Sequence, residues 1–161
     1  MPRWLIFSLL LLGLTACSKP LDLPAVPVAA ADPGDYTRFR ADLSARFPAE
    51  RLQPLDTAMQ ELELDAMARN IPTAEARKLD ALAVAHGKTV QAVTLLGWRA
   101  RCARFQREIA TLQELIDSDR KLDQTPGITA RIKRAQDVIT KLQSDLATAE
   151  RQLAAYAATA P

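Results

Sequence analysis

Over residues 95–116, and again over 128–156, apolar side chains recur at spacings of three and four without a break. The first stretch carries Leu95, Trp98, Cys102, Phe105, Ile109, Leu112 and Ile116; the second carries Ile128, Ile132, Ala135, Ile139, Leu142, Leu146, Ala149, Leu153 and Tyr156. A repeat averaging about 3.5 residues keeps one stripe of a helix facing one partner, which is the pattern of a coiled-coil seam. Between the stripes stand Asp123, Gln124, Thr125 and Pro126. Thr125 is a good N-cap and Pro126 a good first-turn residue, so a new helix starts there. So short a connection returns the chain antiparallel. The expected product is an αα-hairpin of two helices, about residues 89–122 and 126–158, with arms of about 45–50 Å at a rise of about 1.5 Å per residue.

The residues before the hairpin read as shorter helices opened by proline. Asp32 and Pro33 cap a first helix with Tyr36, Phe39, Leu43 and Phe47 on one face, and Pro48 interrupts it. A second, entered near Pro48 or Pro54, carries Leu52, Leu55, Met59, Leu62 and Ala66 and ends about Asn70. Pro72 and Thr73 open a short third helix, which Gly87 closes in a left-handed conformation. Ala83, Gly87 and Val93 stand at a spacing that resembles the helix-turn-helix of DNA-binding repressors; here it serves only to place a turn between the third and fourth helices. Few glycines and aromatics suit this reading. The fold class expected is all-α: a small helical bundle dominated by a long, coiled-coil-like antiparallel hairpin, with two or three shorter helices N-terminal to it.

At the other end of the chain, Arg3 precedes an uncharged, leucine-rich run over residues 4–16, and Leu14-Thr15-Ala16-Cys17 follows. A basic start, a short apolar stretch and small residues before a cut describe a signal peptide, and the run is shorter than the about 20 residues needed to span a bilayer. With its cysteine, this segment resembles the lipobox of bacterial lipoprotein precursors, and the resemblance covers the first 17 residues. It implies cleavage by signal peptidase II, with residues 1–16 removed and Cys17 carrying a diacylglyceryl thioether and an N-acyl chain. More than one chain makes such an anchor stable. Ser18 follows where an aspartate would retain the protein at the inner membrane, so the resemblance implies the outer membrane, facing the periplasm.

Prolines at 20, 24, 27 and 33 then favour an extended, polyproline-like course. Residues 17–34 therefore read as a lipid-anchored tether, and 35–161 as a single helical domain. A second reading has this strip docked on the folded part through Leu21, Leu23 and Val26.

A net charge of +2 implies no polyanionic partner, and no nucleic-acid binding is expected. With Cys17 modified, Cys102 is left as a lone thiol on the stripe between Trp98 and Phe105, where it reads as a small buried hydrophobe. His86, the only histidine, precedes Gly87 and reads as an imidazolium at a helix C-terminus. Neither has partners at the spacing of a metal site or a nucleophile-base pair. The expectation is no catalytic residue, metal or cofactor.

Arg99, Arg101, Arg104 and Arg107 crowd one part of the fourth helix, on the side away from its apolar stripe. They read as a solvated face partly paired with Glu108, or as a contact surface for anionic lipid, lipopolysaccharide or an acidic protein. Asp137, Lys141 and Asp145 stand four apart on the fifth helix and add ion-pair support. The functional expectation is a non-enzymatic envelope lipoprotein: a helical adaptor, scaffold or assembly factor for another envelope component. The alternatives are an anionic-lipid contact surface and an enzyme accessory subunit. Exposure of Val93, Leu115 and Val138 would favour self-association.

Overall fold

The computed structural model describes residues 22–158. The expected signal segment and Cys17 lie outside them. The described chain is all-α. A single 3₁₀ turn, Leu23–Ala25, precedes α1 (Pro33–Arg46), α2 (Ala49–Ala68), α3 (Ala74–Ala85), α4 (Val90–Asp119) and α5 (Pro126–Ala158).

Local chemistry explains the boundaries. The side chains of Asp32, Thr73 and Thr89 accept from the backbone N–H three residues on, satisfying donors that the first helical turn leaves open. Thr125 does the same for Ile128 at 3.3 Å. Gly87, at φ +72°, supplies the left-handed residue after α3. Pro54 does not start a helix. It sits inside α2, which begins behind Pro48, and it leaves only the Glu50 carbonyl without its intrahelical donor. Helix α4 stops a turn earlier than its sequence suggests. Lys121 and Leu122 bond back three residues, to Ser118 and Asp119, and the Gln124 amide donates to the carbonyls of Asp119 and Leu122 at 3.1 and 2.7 Å. A glutamine side chain thus replaces the next helical turn as the C-cap.

The main core lies where α1, α2, α3 and the first third of α4 meet. Leu43, Leu52, Leu55, Leu82 and Val93 are buried there. Helices α2 and α4 touch backbone to backbone: a Cβ added at Gly97 would come within 2.3 Å of the Ala58 Cα. Only glycine admits that approach, which brings α4 into the body at this crossing.

Beyond the body, α4 and α5 run antiparallel as expected. Cys102 and Phe105 meet Ala149, and further out Ile116 meets Ala135 and Ile139. Near the base the Gln91 side chain donates to the Tyr156 carbonyl at 3.3 Å, closing the open end of the hairpin.

The strip read as a free tether is docked over its described part. Leu23, Val28 and Ala30 are buried in the main core. Val28 N–H donates to the Lys88 carbonyl at 2.8 Å, Gly87 N–H to Val28 at 3.0 Å, and Val90 N–H to Val26 at 2.8 Å. The reason is local. Proline at 24 and 27 fixes an extended course but leaves Val26 and Val28 free to pair, and the turn after α3 offers the complementary groups. The boundary expected at residue 34 therefore does not separate a free tether from the folded part. Leu23 and half-buried Val26 fit the docked reading; Leu21 lies outside the described residues.

Candidate functional site

The arginine cluster is turned inward more than its sequence suggests. The Arg104 guanidinium grips Glu61 of α2 with two bonds, Nε to Oε2 at 3.0 Å and an Nη to Oε1 at 2.9 Å, and bonds Glu108 at 3.0 Å. Arg101 approaches the same Glu61 at 3.6 Å and lies over the Trp98 ring, 5.2 Å from its centroid. Arg107 reaches Asp65 at 3.4 Å. Glu61 is only 5 % exposed, so its charge requires these partners. The bonds to Glu61 hold the Arg104 guanidinium above its ordinary, already high pKa despite its burial. Only Arg99 of the four makes no ion pair among the described residues. It stands on the wall of a shallow cleft of about 400 Å³ with Leu62, Arg69 and Val84.

Of the four arginines of the expected contact face, three pair with acids of α2 and α4, because the flank of α4 on which Arg101 and Arg104 stand is the flank that α2 covers. Helical spacing identifies Glu108 as a partner. It cannot identify Glu61, 43 residues from Arg104.

His86 caps α3 as expected, but it acts there as an acceptor. Its Nδ1 takes the Ala30 N–H at 3.2 Å, so that nitrogen carries no proton. The imidazole pins the docked strip. Cys102 sits apart from it, buried in the hairpin seam, where burial pushes the thiol pKa up. That is the reverse of the depressed pKa an attacking thiolate requires. Trp98 stacks on Tyr156 with ring centroids 6.3 Å apart. Among the described residues, no three or more His, Cys, Asp or Glu side chains gather as a metal-binding group, and no helix is long and apolar enough to cross a membrane.

A second cleft, about 250 Å³, opens at the base of the hairpin between the docked strip and α2, with Leu23, Pro24, Arg51, Pro54 and Tyr156 in its wall. No sequence pattern marks it, since its walls come from four separate segments.

The distal hairpin differs from all of this. Asp119, 3 % exposed, receives both Nε and Nη2 of Arg131, which ties the end of α4 to the start of α5. Around that tie, Leu115, Leu122 and Val138 are 40–50 % exposed. Of the residues whose exposure would favour self-association, Val93 is instead fully buried in the main core, and only Leu115 and Val138 lie open. No ion pair joins Lys141 to Asp137 or Asp145, contrary to their spacing.

No protein-family model, curated protein or solved structure matches this chain.

Proposed function

We propose that the protein is a lipid-anchored envelope component that holds a helical hairpin out from a folded body so that another envelope protein can grip it. The reading is non-enzymatic: an adaptor or assembly factor, placed at the outer membrane on its periplasmic side by the lipobox-like segment ending at Cys17. The observation that carries it is the hairpin's architecture. Helix α5 packs along α4 through one stripe only, and the outer part of the pair keeps Leu115, Leu122 and Val138 open to solvent. An arm that adds little to the main core while exposing apolar side chains is suited to contact.

The internal pairing of Arg101, Arg104 and Arg107 argues for this reading over an anionic-lipid surface, since those guanidinium groups are already engaged. The test uses full-length protein in cells. Metabolic labelling with an acyl-chain analogue should mark the wild type and not Cys17→Ser, and fractionation should place the labelled protein in outer membranes. A photo-crosslinking residue at position 138 should then yield a discrete protein adduct. An unacylated cytosolic chain, or adducts to lipid alone, would contradict the proposal.

A further inference from the structure

One row of α4 links the body to the open arm. Gly97, Arg101 and Arg104 stand at spacings of four and three, each one residue before the seam positions Trp98, Cys102 and Phe105. All three face α2, Gly97 against Ala58 and the two arginines on Glu61. The same row continues through Glu108, Thr111 and Leu115, again at spacings of four and three. At about 100° per residue these positions share one side of the helix. Helix α2 ends at Ala68, and the outermost of its ion pairs with α4 is that between Asp65 and Arg107. From there outward the row has no cover, and Leu115 is 40 % exposed.

Val138 of α5 belongs to this same flank. Leu115 precedes Ile116 and Val138 precedes Ile139, and Ile116 and Ile139 pack against each other in the seam. In an antiparallel pair, one step back along each chain turns the side chain by about 100° in opposite senses, so both residues leave the seam on the same side. The flank between α4 and α5 is therefore a groove about 16 Å long from Glu108 to the end of α4 at Asp119, about three turns of helix. Leu115 and Val138 form its floor, with half-buried Leu112 and Ile132 beneath them. Arg134 and Lys141 flank Val138 one turn to either side, and neither makes an ion pair among the described residues.

The molecule's own α2 shows what such a flank accepts. It seats small and apolar side chains, Ala58 among them, and sets carboxylates, Glu61 and Asp65, on the cations of α4. The geometry points to the distal flank of the hairpin as a docking groove for one acidic amphipathic helix of a partner protein, lying beyond the end of α2 as its continuation. The partner's apolar stripe would cover Leu115 and Val138, and its carboxylates would meet Arg134 and Lys141. This is helix-in-groove recognition. The inference rests on the adaptor reading and specifies its contact.

The probe is a helix-forming peptide of about three heptads with leucine and isoleucine on one stripe and glutamate beside it, paired with a second peptide carrying lysine for every glutamate. Fluorescence anisotropy against the full chain should show saturable, salt-sensitive binding of the glutamate peptide only. Leu115→Ser and Val138→Ser should each weaken it about tenfold or more, and Arg134→Gln with Lys141→Gln about tenfold, as for central and charged contact residues. Leu79→Ser, which alters an exposed leucine of α3, should leave it unchanged. All these residues are exposed, so circular dichroism should show every variant folded.

Equal binding of both peptides, binding of neither, or indifference to the four groove residues would overturn the groove. So would flotation with anionic vesicles that depends on Leu115 and Arg134, which would assign the flank to lipid. A concentration-dependent dimer abolished by Leu115→Ser would assign it to a second copy and overturn it equally. Envelope adducts formed from other parts of the hairpin would remove the groove while leaving the adaptor reading intact; loss of Cys17 acylation would remove the envelope address while leaving the peptide result standing.

Discussion

The two ends of α4 live in different surroundings. Near Val93 and Gly97 the helix packs on α2 and the docked strip, and the buried residues of that core reach full burial: Leu43, Leu55 and Val93 are 0 % exposed. Near Ile116 it has one partner, α5, and the seam cluster there holds three buried residues, Ile116, Ala135 and Ile139. A helix pair with no third layer leaves the sides of its seam wet, so the arm gains less from each apolar residue than the body does. The lesson is that one continuous helix can be enclosed at its base and covered along a single stripe at its tip. The change occurs where α2 runs out.

That contrast can be broken most severely in the body. Leu55→Ala should cost about 2–5 kcal/mol of unfolding free energy in urea, because a fully buried leucine leaves both lost transfer energy and a cavity. Next comes the ion pair that ties the two regions. Glu61→Gln should cost about 1.5–3 kcal/mol, the range for hydrogen bonds to charged groups, and Glu61→Leu with Arg104→Leu should recover much of it. If the double variant is as unstable as the single one, Glu61 does more than answer Arg104.

In the arm, Ile139→Ala should cost about 1–2 kcal/mol, below the usual range for a core truncation, since the two-helix cluster collapses easily around the deletion. It should also raise the rate at which Cys102 reacts with a thiol reagent, because that buried thiol is reached only when α5 lifts from α4. A Leu55→Ala variant that accelerates labelling by the same factor would show that arm and body open together. The smallest effect is expected at the strip. His86→Ala removes one acceptor, of the Ala30 N–H, and should cost about 0.5–1.5 kcal/mol, visible as faster hydrogen exchange at Ala30 and Val28 with little change elsewhere.

How far the sequence reveals this molecule depends on how far apart the interacting residues lie. The hairpin is legible because its information is periodic and local: two stripes, a threonine cap and a proline. The caps at Asp32, Thr73, Thr89 and Thr125 and the left-handed Gly87 are legible for the same reason. The docking of residues 23–30 is obscured by proline, which signals an extended course but not what that course pairs with. Val93 misleads because its burial depends on the rotation of α4 against α2, which Gly97 and Ala58 set by a close approach no spacing rule records. The arginine row misleads likewise. Four cations off the apolar stripe suggest solvent, whereas a single glutamate of α2 draws two of them into an interface. Leu115 and Val138 stand out in sequence as apolar residues off the stripe, but their shared flank becomes evident only when both helices are in place.

At the centre stands the claim that the distal flank of the arm, and not exposed apolar surface in general, is what meets another protein. Photo-crosslinking residues placed one at a time at 115, 138 and 79 in full-length protein within living cells test it directly, since Leu79 is as exposed as Val138, 45 % against 46 %, but belongs to the body. The same discrete protein adduct is expected from 115 and 138, and none from 79. Adducts of equal yield from all three positions, or from 79 alone, would contradict the claim.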